Sequence, residues 1–200
     1  IENNAFFNLT KLKELYLSDN CLFKLSKNLF SNTQQLEILN LNNNLIKNVQ
    51  MSFNNLNMLI FLHLSNNKLE SFNLPATLLP KLKFLDLSSN ILLKEFKTNK
   101  PSLEYLNLKN IHHLDLIETT NFPNLKYLYI SKLSYKTIEK LLLQRIGYLE
   151  LDLSFMNLSN ISFVTRRVSI SLKILKLRNS LVHFNFSSLF YNLIEVDITA

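Results

Sequence analysis

An α/β solenoid with a parallel concave sheet is the fold class this sequence predicts, and three observations carry the prediction. The segment LxxLxL, or a close variant, opens at Leu12, Leu36, Leu59, Leu82, Leu103, Leu125, Tyr148, Leu172 and Leu193, so the motif returns every 21 to 24 residues. The fourth and sixth positions of every copy are aliphatic, from Leu15 and Leu17 in the first to Val196 and Ile198 in the last. The first four copies carry an asparagine at the ninth position: Asn20, Asn44, Asn67 and Asn90. A period of this length with this pattern marks a leucine-rich-repeat array. Residues 1–200 are expected to form one such array, about eight full repeats with a partial repeat at each end.

Each element follows from its residues. Alternation of apolar and polar side chains at period two reads as a short strand with one buried face, because successive side chains point to opposite sides. A strand of this kind buries nothing alone, so neighbouring copies must stack side by side at about 4.8 Å per repeat. The asparagines sit where the chain leaves the sheet. A side-chain amide there satisfies backbone groups that the turn would otherwise bury unpaired. They are followed two residues later by Leu22, Ile46, Leu69 and Leu92.

In the later repeats the ninth position is Ile111, Leu133, Met156 and Ser180, so the asparagine ladder should break and the turn be rebuilt, or the coil change radius. The outer side is expected to be mostly loop and short 3₁₀ turns, anchored by Phe6, Phe30 and Phe53, with Phe122 a displaced counterpart. One short amphipathic helix is expected at Thr137 to Arg145, with Ile138, Leu141 and Leu142 on one face.

Composition narrows the function. No apolar run approaches the length of a membrane span. The chain starts at Ile1 inside a repeat and ends inside another, so it is expected to be an uncapped fragment of a longer protein. Cys21 is the sole cysteine, which excludes an internal disulfide and a cysteine-based metal cluster. It is either a small residue beside the turn at Asn20 or a partner for a cysteine outside these residues.

The catalytic motifs GxSxG and HExxH are absent, and a single glycine, Gly147, makes a phosphate-cradling loop implausible. No enzyme activity and no cofactor or metal is expected. His112 and His113 project to opposite sides of an extended segment, a poor geometry for a shared metal. His63 falls on the concave face, where a histidine can sense acidification.

Binding is the remaining reading. The third strand position should face outward, and in five consecutive copies it holds Ile38, Phe61, Phe84, Tyr105 and Tyr127. Such a column is the first candidate site, since contiguous exposed apolar surface marks interaction sites. Its bland alternative is ordinary packing of cross-strand neighbours. The second candidate is the cluster Lys173, Lys176 and Arg178 in the eighth copy, suited to an acidic partner.

Net charge is +7, yet the outward strand positions carry eight bases and nine acids. The basic excess lies elsewhere, on a flank marked by Lys24 with Lys94 and Lys27 with Lys97, so nucleic acid is a possible partner but not the favoured one. Four N-x-S/T sequons, at Asn8, Asn157, Asn160 and Asn185, permit glycosylation. Asn, Ser and Thr are so abundant that chance order gives about four.

The lines NLTKLKELYLSDNCLFKL, QQLEILNLNNNLI, LIFLHLSNNKLESF and PKLKFLDLSSNIL resemble the repeat of extracellular leucine-rich-repeat proteins, and in particular the ectodomains of Toll-like receptors. The resemblance implies part of a single-pass innate immune receptor that recognises a microbial molecule and is brought into dimers by it. It would lie on the extracellular side of a membrane, at the cell surface or in an endosome, with span, caps and signalling domain outside these residues. A secreted or cell-surface adhesion scaffold without signalling is the alternative, and an intracellular repeat scaffold a third.

Overall fold

Strand formation follows the motif. In the computed structural model, which describes residues 1–2, 5–49, 52–112, 114, 116–119, 122–131, 150–155, 172–180 and 192–199, every copy of LxxLxL supplies one short strand. These are β1 (Glu14–Tyr16), β2 (Ile38–Asn40), β3 (Phe61–His63), β5 (Phe84–Asp86), β7 (Tyr105–Leu108), β9 (Tyr127–Ile130), β10 (Glu150–Asp152), β11 (Ile174–Lys176) and β12 (Glu195–Asp197). They form one parallel sheet in the order β1-β2-β3-β5-β7-β9-β10-β11-β12. Registers run motif to motif without a slip, so Leu15 sits beside Leu39, Leu39 beside Leu62 and Leu62 beside Leu85.

Fourth and sixth positions point inward. Leu39, Leu41, Leu62, Leu64, Leu85, Leu87, Leu106 and Leu108 are completely buried and form the spine of the core. Each such leucine stabilises the fold by roughly 1.5–3 kcal/mol relative to an exposed one.

The outer side is built from repeated turns. Backbone N–H groups donate to carbonyls three residues back at Phe6–Leu9–Leu12, Phe30–Thr33–Leu36 and Phe53–Leu56–Leu59, with bonds of 3.0–3.2 Å. This is 3₁₀-type bonding, and it buries Phe30 and Phe53. The position three before each motif then reads Leu9, Thr33, Leu56, Leu79, Lys100 and Phe122, each accepting the N–H of the motif's first leucine. Phe122 is thus displaced by one turn from the other phenylalanines, as its spacing implied. Lys100 is the anomaly in that column. It is buried, with Nζ donating to Ala76 O at 2.9 Å and to Leu78 O.

One layer was not anticipated. β4 (Ser71–Leu74), β6 (Glu95–Thr98) and β8 (Leu116–Thr119) form a second parallel sheet away from the concave face, in the order β4-β6-β8. Phe72 and Phe96 stack across it at 6.0 Å, and the Thr98 hydroxyl donates to Leu74 O at 3.0 Å. Among the described residues there is no helix. The helix expected at Thr137 to Arg145 lies outside them.

The asparagine ladder is present and can be followed bond by bond. Asn67 Nδ2 donates to Leu41 O, Leu64 O and Ser65 O, and its Oδ1 accepts the N–H of Ile46. Asn44 and Asn90 repeat this pattern on Leu17, Leu41 and Leu22, and on Leu64, Leu87 and Leu69. The fifth copy has Ile111, which is buried and offers no amide. Consequently no asparagine accepts the N–H of the fourth copy's inward residue, and the turn there closes on itself through Leu93 N–H to Asn90 O at 3.0 Å. This turns Leu92 outward and Leu93 inward. In the eighth copy the Ser180 hydroxyl takes over part of the duty, donating to Leu153 O at 3.0 Å.

The eighth position of the copies turns the chain off the sheet in the left-handed region, with φ of 59° at Asp19, 55° at Asn43, 51° at Asn66, 58° at Ser89, 57° at Asn110 and 50° at Asn179. Short polar side chains tolerate this conformation better than others. Phe155 occupies it too, at φ 63°, with its ring exposed. Phe155→Asn is therefore expected to stabilise the fold by about 1 kcal/mol, read as a higher urea midpoint with an unchanged slope.

Candidate functional site

Register alone places the third-position residues in one line across the sheet. Ile38 is paired with Phe61, Phe61 with Phe84, Phe84 with Tyr105, and Tyr105 with Tyr127. Their rings touch in succession: Phe61 to Phe84 at 5.8 Å, Phe84 to Tyr105 at 4.0 Å and nearly parallel, Tyr105 to Tyr127 at 6.3 Å. Phe61 is 39% exposed, the most open ring of the column. These contacts are ordinary packing of cross-strand neighbours. The rings pack on one another, and together they still present an apolar ridge on the concave face.

The fifth position adds a second line beside the first, and two of its members extend the aromatic surface. His63 lies 4.7 Å from Phe84, and Tyr129 lies 5.1 Å from Tyr105. Burial lowers the pKa of His63, and the nearby Asp86 carboxylate pulls it back up. Burial first, then the charges of Asp86 and Glu150, push the Tyr105 phenol up to about 12. Burial, followed by its hydrogen bond to Glu150, raises Tyr129 as well. Both phenols therefore stay neutral hydrogen-bonding groups across the physiological range.

Charged side chains on this face are mostly matched to one another. Lys13 pairs with Glu37 at 2.9 Å, and Glu104 is held between Lys83 at 2.9 Å and Lys126 at 2.8 Å. Hydrogen bonds from these two lysines keep the Glu104 carboxyl below its usual range. Lys109 reaches past β9 to the buried Asp152. Lys176 pairs with Glu150 at 2.6 Å, and both Lys109 and Lys176 lie over the Tyr129 ring, at 5.5 and 5.9 Å.

The basic cluster of the eighth copy is accordingly less open than its sequence suggests. Lys176 is bound to Glu150, and Arg178 to Asp197 at 2.5 Å, while Lys173 is exposed beside them. Tyr129, Lys109, Glu150 and Asp152 form a connected group that was not singled out from sequence. The signal was available in part, because the third and fifth positions that hold Tyr129, Glu150 and Asp152 become neighbours once the register is fixed, while Lys109 reaches them from a seventh position two copies away.

Asn8 is exposed on the first turn, while Asn157, Asn160 and Asn185 lie outside the described residues. Cys21 is a free, exposed thiol, and Lys24, Lys27, Lys94 and Lys97 are exposed. Among the described residues no group of three His, Cys, Asp or Glu side chains converges on a metal position, and no helix is long and apolar enough to cross a membrane.

A family profile described as Leucine rich repeat matches residues 1–46. No curated protein matches the sequence. Of 43 matching chains of solved structures, the leucine-rich repeat domain of APL1B superposes with a TM-score of 0.62 at 22% identity. The superposition covers 100% of this chain and 65% of that one, so this chain spans less than two thirds of its length. At such identity the likeness is one of fold. Motif, register and superposition agree that this chain is a leucine-rich-repeat solenoid, a fold that typically serves as a protein-binding scaffold rather than as an enzyme.

Proposed function

We propose that the chain is a ligand-binding segment of a Toll-like innate immune receptor, positioned on the extracellular or endosomal side of a membrane and glycosylated at one or more of its sequons. In this reading the concave face recognises a microbial molecule and the bound ligand brings two receptors together. The observation that supports it best is the aromatic column from Phe61 to Tyr127, continuous across four strands and widened by His63 and Tyr129. Aromatic side chains at the centre of a concave surface are the usual carriers of binding energy.

The test is the double substitution Phe61→Ser with Phe84→Ser in the full-length parent. Expressed on cells with a signalling reporter and challenged with microbial lipid, protein, glycan and nucleic acid preparations, the variant is expected to respond at least about tenfold more weakly, the loss typical of a removed hot spot. Both side chains lie on the solvent side of their strands, so the variant should remain folded. A response equal to that of the unchanged receptor would remove the column from the site. Binding to a host protein without any reporter signal would replace the receptor reading with an adhesion scaffold.

A further inference from the structure

The fifth position of the copies has a local duty that is the same wherever a short acid or amide stands there. Asn40, Asp86, Asn107, Asp152 and Asp197 each accept, through Oδ1, the N–H two residues further on, at 3.0, 2.9, 3.1, 3.0 and 3.3 Å. Asparagine does this as well as aspartate, as Asn40 and Asn107 show. A negative charge at this position therefore needs a second reason.

For Asp152 and Asp197 the reason is visible. Each meets a cation of this chain, Lys109 in one case and Arg178 in the other. The same holds for Glu37, Glu104 and Glu150 on the same face. Asp86 differs: it is half-buried and among the described residues no ion pair reaches it, whereas the other acids of this face outside the printed pairs, Glu14, Asp19 and Glu195, are exposed. Its cross-strand neighbours are His63 and Asn107. Its surroundings are aromatic, with Phe84 two residues earlier on β5 and the rings of His63 and Tyr105 against Phe84 at 4.7 and 4.0 Å.

The half-buried Asp86 carboxylate thus stands among rings with no cation of the described residues paired to it. The second carboxylate oxygen is left with no structural task that the neighbouring asparagines do not also perform. We propose that Asp86 receives an arginine side chain of a partner protein, whose aliphatic stem lies along Phe61 and Phe84 and whose guanidinium meets the carboxylate.

Charge across the molecule fits this occupant. The chain as a whole is +7, but its outward strand positions carry nine acids against eight bases, so a basic segment is repelled by the flanks and admitted at the concave face. The apolar ridge suits a guanidinium, which is weakly hydrated and stacks on aromatic side chains. The proposal rests on reading the concave face as the binding surface, and it adds the chemistry of one contact.

The experiment uses this 200-residue chain with carbon-13 labels in the Phe, Tyr and His rings. It is titrated separately with N-acetyl-arginine amide and with N-acetyl-citrulline amide, a neutral probe of nearly the same shape. Arginine is expected to shift the Phe84, Tyr105 and His63 ring signals, while citrulline binds roughly ten- to a hundredfold more weakly, the worth of a charge-assisted hydrogen bond. Asp86→Asn should bring arginine down to the citrulline level with an unchanged urea midpoint, since the asparagine keeps the bond to Ser88.

Equal binding of the two probes, no shift with either, or full arginine binding by Asp86→Asn would each overturn the proposal. The probe comparison on the unsubstituted chain needs no variant to fold. If the probes bind equally while Phe61→Ser with Phe84→Ser still silences the parent, the concave reading stands and the Asp86 contact falls. If arginine binds through Asp86 but the parent tolerates the double substitution, the contact stands and the receptor reading falls.

Discussion

Asn67→Ala is expected to lower the unfolding free energy by about 3–5 kcal/mol, far beyond an ordinary surface change. The amide is 1% exposed and makes four hydrogen bonds, donating to Leu41 O, Leu64 O and Ser65 O and accepting from Ile46 N–H. Alanine supplies none of these, and the site offers no room for the backbone groups to turn towards water. A buried backbone group left without a partner costs roughly 1–3 kcal/mol. The internal control is Asn20, which is exposed and donates only to Leu17 O and Ser18 O of its own turn. Asn20→Ala should cost less than about 1 kcal/mol. Urea unfolding of the two variants side by side measures the difference, and equal midpoints would show that the ladder carries no special load.

The second large effect is a pH-dependent one at Lys100. Burial lowers its pKa from the ordinary 10.5 to about 8. A group whose folded pKa is lowered favours the folded state in its neutral form, so its contribution is complete above the unfolded value and is lost as pH falls towards the folded one. The amine also donates to Ala76 O and Leu78 O, which methionine cannot do. Lys100→Met is therefore expected to be clearly destabilising near pH 10, by about 1–3 kcal/mol for the carbonyls left unpaired. At pH 7 the difference should shrink or reverse, because the unsubstituted chain must bury a charge that the variant lacks.

Tyrosine ionisation acts in the opposite direction. The Tyr105 pKa is raised to about 12, so its contribution is present at lower pH and lost as pH rises past its unfolded value near 10. It acts equally on both proteins and cancels in their difference. Denaturation midpoints between pH 7 and 10 provide the check, and a difference that does not change with pH would refute the burial account of Lys100.

The period and the alternation within LxxLxL were sufficient for the concave sheet, its parallel sense and its register, because a repeated pattern can only be buried by stacking like on like. They were sufficient for the alignment of Ile38 to Tyr127 as well. The second sheet was legible only in retrospect. Its strands alternate in burial at Phe72 and Leu74 and at Phe96 and Thr98 and begin 12 to 13 residues after Leu59, Leu82 and Leu103, but a mixed apolar and polar pair of this length reads as loop without a neighbour to bond.

Lys100 was missed for a different reason. Its column mixes Leu9, Thr33, Leu56, Leu79 and Phe122, and a lysine among these reads as a solvated residue until the turn bonds show where it sits. The ion pairs were missed because charge on the concave face was summed rather than paired. Glu150 beside Lys176, and Asp152 beneath Lys109, cancel as neighbours, and a sum over the surface cannot express that. The same step leaves Asp86 as the half-buried acid of this face that no ion pair reaches among the described residues, which a total charge conceals.

The ladder amides have a direction. Asn44 bonds backward to Leu17 and Leu22, Asn67 to Leu41 and Ile46, and Asn90 to Leu64 and Leu69. During synthesis the amino end emerges first, so each coil leaves the ribosome with its turn unsealed and is completed only when the asparagine of the next coil arrives. A translational pause after any of the first three coils would hold open the most recently made turn and no other.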